Sequence, residues 1–160
     1  MVKRALISVL PAFLLALMCA LPRPLIAQRG ASASNANGVS GTYNFLREGE
    51  FVQLTVEDGR LSGYISRFGD SESDKDQFID QFFDKASLEG DRLNFNTKTV
   101  HGVSYDFSGV IATVAGKKSS DEGYRVIRGK LIQHSVDASG AAKTQQRQVE
   151  FKSFPDTVNR

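Results

Sequence analysis

Period-two alternation of apolar and polar residues is the feature that most constrains this chain. Val39, Gly41, Tyr43 and Phe45 share one parity, and Val52, Leu54 and Val56 repeat it on the next segment. Leu93 and Phe95 follow, then Tyr105, Phe107 and Ile111, then Val149 and Phe151 against Gln148, Glu150 and Lys152. Successive side chains of a strand point to opposite faces, so this pattern describes antiparallel strands with one face buried and one wet. Turn formers separate the runs: Glu48-Gly49, Asp58-Gly59, Glu89-Gly90-Asp91, Ala115-Gly116 and Ser139-Gly140. Asp58-Gly59, between Val56 and Leu61, is the clearest hairpin. The expected fold is all-β, with seven or eight strands in an up-and-down barrel or a strongly curved sheet.

Glycines inside the strand pattern support curvature. Val39-Ser-Gly41-Thr-Tyr43, Leu61-Ser-Gly63-Tyr-Ile65, Phe107-Ser-Gly109-Val-Ile111 and Ile127-Arg-Gly129-Lys-Leu131 share one motif. A glycine weakens a strand, and its recurrence there marks tight bends of the kind that close a barrel. One segment breaks the alternation. Within 70–84, Phe78, Ile79, Phe82 and Phe83 are spaced as a helical stripe, with Asp74 as cap and Gln77 three residues on. The spacing predicts a short helix over 75–84, laid on the barrel.

The ends read differently. Lys3 and Arg4, an apolar run from Ala5 to Ala20, and Leu25-Ile26-Ala27 have the order of a secretory signal with cleavage after Ala27. The run is too short for a membrane span and carries Pro11, and Met18 is too large to precede a lipid-modified Cys19. The expected domains are a signal over 1–27, a disordered linker over 28–38, a barrel over 39–154 and a loose tail over 155–160. The expected location is secreted or periplasmic, with no transmembrane segment in the mature chain.

Removing the signal changes the composition argument. It holds Cys19, both methionines and three of the 20 basic residues, leaving 17 basic against 18 acidic, a net −1. A mature chain without cysteine has no disulfide framework, cysteine metal site or cysteine nucleophile. A net charge near zero does not suit a nucleic-acid binder. The acidic run from Asp70 departs from a calcium loop at its glycine and glutamate positions, Lys75 and Gln81. His101 and His134 are the only histidines, too few for a three-histidine zinc site, so neither metal nor cofactor is expected. A hydrolase would have to use one of them, and Ser104 and Asp106 make a poor triad with His101, because odd spacings along a strand put side chains on opposite faces. Charge is uneven: 70–91 carries eight acids against two lysines, and 117–152 carries eight bases against four acids.

Gly41-Thr-Tyr43 opening the first strand of a meander resembles the lipocalin and avidin-like (calycin) barrels, whose first strand begins glycine-x-tryptophan. The resemblance implies a non-catalytic barrel around one small ligand. Tyr43 stands where tryptophan is expected, and no tryptophan occurs anywhere in the chain to wall a biotin-like pocket. The candidate lining of the barrel is Tyr43, Phe45, Phe95, Tyr105, Phe107 and Tyr124, which suits an apolar or amphipathic, lipid-like ligand. The alternative is a cell-envelope interaction module with a filled barrel, whose partner is an envelope protein.

Overall fold

The computed structural model describes residues 38–137 and 139–155. The signal, residues 28–37 of the linker and residues 156–160 of the tail lie outside the described residues. Eight antiparallel strands follow one another: β1 Gly41–Asn44, β2 Phe51–Glu57, β3 Arg60–Phe68, β4 Phe78–Glu89, β5 Arg92–Thr97, β6 Val103–Thr113, β7 Arg125–Val136 and β8 Ala142–Lys152. Each pairs with its sequence neighbour, in the order β1 to β8. The sheet curls until its ends meet. Tyr43 bridges Ser153, and the Phe154 N–H donates to the Thr42 carbonyl at 2.8 Å.

The turns carry the conformations their residues favour. Asp58 and Gly59 both have positive φ, 51° and 73°, which gives the two-residue hairpin whose twist matches its strands. The paired glycines of β6 and β7 have a different reason. Gly109 faces Gly129, and a Cβ on Gly129 would lie 2.6 Å from the Gly109 Cα and 2.8 Å from the Phe107 ring. Two side chains there would hold the strands apart where Phe107 folds over them to fill the core.

No helix occurs among the described residues, and the helix expected over 75–84 is corrected to strand β4. Spacings of one and four fit a helical stripe, but they also fit a strand with aromatic residues on both faces. Ile79 and Gln81 point inward and are buried, whereas Phe78 and Phe82 point outward at 56% exposure. The outward rings pair with neighbours on β3. Phe82 lies opposite Tyr64 and Phe78 opposite Phe68, with centroids 5.5 and 4.5 Å apart. Such cross-strand aromatic pairs stabilise a sheet, and they outweigh the helical spacing. Asp74 caps no helix. Its carboxylate accepts from the Ser71 N–H and hydroxyl within the β3–β4 loop.

Inward positions of all the strands form one core, from Val39 and Tyr43 through Leu54, Ile65, Leu93, Ile127 and Leu131 to Phe151.

Candidate functional site

Five of the six candidate lining residues point inward, and they meet one another. Tyr43, Phe45, Phe95, Tyr105 and Phe107 are all buried in the core. A chain of rings crosses the barrel. Phe83 stacks on Phe95 at 4.3 Å and 10°, and Phe95 on Phe107 at 5.1 Å and 20°. Phe107 then meets Phe151, which meets Phe45, which meets Tyr105 edge-on at 5.4 Å. Rings at these separations are each other's packing partners. The sixth candidate, Tyr124, is half-buried before β7, outside this core, with the Arg125 guanidinium 5.0 Å from its ring centroid.

One end of the barrel is closed by polar groups that composition did not point to. Arg67, on the inward face of β3, is 1% exposed. Its Nε donates to Gln81 Oε1 at 2.5 Å, and its Nη1 donates to the Phe68 carbonyl and to Asp70 Oδ2, both at 3.0 Å. Gln81 in turn donates to the carbonyls of Val103 and Lys98 at 2.8 and 3.2 Å. Glu50 accepts from Arg47 and from the Phe68 N–H. Every member of this network has partners, as a buried charge requires. Burial pushes the Tyr105 phenol up to about 12, against the pull of the Arg67 and Arg147 charges.

The loops at this end are tied together by Asp74. It bonds Ser71 and also His101 Nδ1 at 2.6 Å, joining the β3–β4 and β5–β6 connections. Its carboxyl is held down at about 2, first by the Ser71 hydroxyl and next by His101. His101 is thereby occupied, and the structure does not bring it to Ser104 or Asp106. Asp106 meets His134 instead, at 2.8 Å, while Thr144 lies 3.3 Å from the other ring nitrogen. This hydroxyl–imidazole–carboxylate row stands on the exposed outer face of β6, β7 and β8. Among the described residues no group of three or more His, Cys, Asp or Glu is placed to hold a metal ion.

A cleft opens on the side of the barrel, where β3 and β4 part. Their pairing runs only from Tyr64–Phe82 to Phe68–Phe78. After a bulge between Phe83 and Lys85, β4 follows β5 instead, so Arg60–Gly63 and Lys85–Glu89 have no partner across the gap. The cleft is an open groove of about 400 Å3, lined by Leu61, Tyr64, Phe82, Phe83 and Ala86, with Thr55, Ser62 and Asp84 as polar groups. A bulge is what lets one strand serve two sheet directions, and it leaves the end of the ring chain, Phe83, open to this space. Sequence reasoning missed the cleft because one of its walls, Phe82, Phe83 and Asp84, was assigned to a helix.

Solved structures contain the same architecture. The crystal structure of intact afifavidin in its apo form superposes with a TM-score of 0.56, covering 81% of this chain and 93% of that one at 14% identity. The fold is that of an avidin-like barrel. The resemblance read from Gly41-Thr-Tyr43 and the meander therefore holds at the level of fold. No protein-family model matches the chain, and no curated protein matches it either.

Proposed function

We propose that this avidin-like chain is a secreted, non-catalytic binding barrel that takes a small amphipathic, lipid-like ligand in the β3–β4 cleft. The observation that carries the reading is Phe83. It ends the ring chain of the packed interior and lines the β3–β4 cleft. A mostly apolar cleft with a few polar groups is the usual form of a small-molecule site. The rings of the barrel centre pack on one another, which supports a site on the flank. Secretion rests on the order of charged, apolar and small residues before Gln28.

The test is an apolar fluorescent dye titrated into the wild type, Ala86→Trp and Phe82→Ala. Ala86→Trp fills the cleft, and Phe82→Ala removes an exposed wall that supports no core contact. Both are expected to weaken the dye at least tenfold, while Phe95→Ala lowers the melting temperature first. Dye binding unchanged in both cleft variants would overturn the site. Native mass spectrometry of the protein from its own secreting host, purified without detergent, would name a bound ligand by mass. It would also report whether the chain is cut after Ala27.

The packed aromatic interior favours a second reading, the envelope interaction module, which would use the basic residues of β7. Reversing Arg125, Arg128 and Lys130 in sign is then expected to abolish salt-sensitive capture of an envelope protein.

A further inference from the structure

The barrel is closed at only one end of its seam. β1 has four residues and β8 eleven, and they meet at Tyr43–Ser153, with the Lys152 N–H donating to Asn44 Oδ1 at 2.5 Å. Beyond Lys152 toward its start, β8 pairs with β7 alone, in an unbroken register from Val126–Lys152 to Val136–Ala142. The direction of its free groups follows by parity. The Ser153 N–H donates to Arg125 on the β7 side, whereas the Lys152 N–H points to the β1 side. The N–H and C=O groups of Thr144, Gln146, Gln148 and Glu150 therefore point away from β7, along an exposed edge beside which no strand lies among the described residues. An edge of this length is a template for another strand.

We propose that this edge pairs with the same edge of a second copy, antiparallel across a two-fold axis at Gln146. The strand's own sequence selects that occupant and that register. With Gln146 opposite Gln146 of the second copy, Thr144 meets Gln148 and Ala142 meets Glu150, all within the free stretch. On the inward face, Arg147 meets Gln145 and Lys143 meets Val149. No like charges oppose one another, and the neutral glutamines flank the one guanidinium on the inward face of β8. Moving the axis by one residue, to Arg147, would set two arginines face to face, which cross-strand energetics disfavour. Arg147 already takes this kind of partner within its own chain. Its Nη2 donates to the Gln133 and Gln145 side-chain oxygens at 3.2 and 2.8 Å, while its buried Nε has no partner. Each hydrogen-bonded pair of an antiparallel ladder exchanges two bonds, so the five pairs of this register supply about ten. The symmetric contact is isologous and closes as a dimer.

The experiment uses the secreted chain with Cys19, its only native cysteine, replaced by serine wherever the segment containing it is retained. Gln146→Cys places a thiol on the axis, where Cα atoms about 5.5 Å apart suit a disulfide. Gln148→Cys, one step along the same face, lies opposite Thr144 and serves as the control. The expected result is that Gln146→Cys cross-links at least tenfold faster than Gln148→Cys. Sedimentation of the cysteine-free protein is expected to show a monomer–dimer equilibrium that Gln146→Pro weakens at least tenfold. Proline is tolerated there because the N–H it removes faces away from β7, so its melting temperature should hold. Equal cross-linking of the two thiols, a monomer at every concentration, or a dimer that survives Gln146→Pro would each overturn the pairing.

Discussion

Asp74 shows how one side chain can set the behaviour of a barrel end. Its carboxylate collects the Ser71 hydroxyl and N–H and the His101 imidazole, and so fixes two loops that no strand pairing joins. Because its folded pKa is lowered to about 2 from 3.8, the ionised form is favoured by folding. Its contribution to stability is fully present above the unfolded value and is lost as pH falls through about 2. The Asp74→Asn variant should therefore melt several degrees below the wild type at pH 6, and the gap should close as the pH approaches 2. Melting followed by circular dichroism checks this, and a gap independent of pH would show that the charge does not matter. Nothing in the sequence singled out this pair. Asp74 and His101 are 27 positions apart, and only the two loops' shared end of the barrel brings them together.

At the scale of elements, the alternation rule held wherever one face of a strand was wet. It located the turn at Asp58-Gly59 and the inward faces of β2, β5 and β6 with their buried residues. It failed on β4 because both faces of that strand carry aromatic residues, the inner one for the core and the outer one for Tyr64 and Phe68. Periodicity reports burial, so a strand apolar on two sides loses its signature and borrows that of a helix. The glycines were read as bends; what the structure shows at Gly109 and Gly129 is a close approach of two strands, and their pairing was not visible in the sequence. Gly109 opposite Gly129 is a matter of register, which a sequence pattern leaves open by steps of two. Gly129→Val should test their role. A side chain there meets Gly109 and Phe107, and the cost should be about 2 kcal/mol or more in urea unfolding, typical of overpacking. A neutral result would mean that the strands can part without disturbing Phe107.

The whole molecule is held at its seam by few contacts. Asn44 reaches from the first strand to the N–H of Lys152 in the last, and the Phe154 N–H bonds Thr42 beside it. Asn44→Ala should remove about 1 kcal/mol, the usual net worth of such a bond, and leave Lys152 without an acceptor. Hydrogen exchange is the sensitive measurement. The Lys152 amide should lose protection while those of β6 and β7 keep theirs, and protection unchanged at Lys152 would assign closure to Tyr43–Ser153 alone. The same short seam produces both the open edge of β8 and the polar inward side chains near it. A fully closed barrel would need neither. The side cleft is its counterpart on the far side, where β3 and β4 part after five pairs.

The sequence by itself determined the all-β class, the meander, the identities of most core residues and the turns, because each depends on local chemistry: which face is apolar, and which residues accept positive φ. It also marked five of the aromatic residues that meet inside, Tyr43, Phe45, Phe95, Tyr105 and Phe107. Tertiary structure alone decided which of those rings pack on which, since that depends on strand stagger and barrel width. It likewise decided that Arg67 and Gln81 would satisfy each other in the interior, and that β3 and β4 would part beside Phe83. The open edge of β8 was fixed there too, by the unequal lengths of two strands that lie at opposite ends of the domain and meet only when the sheet curls.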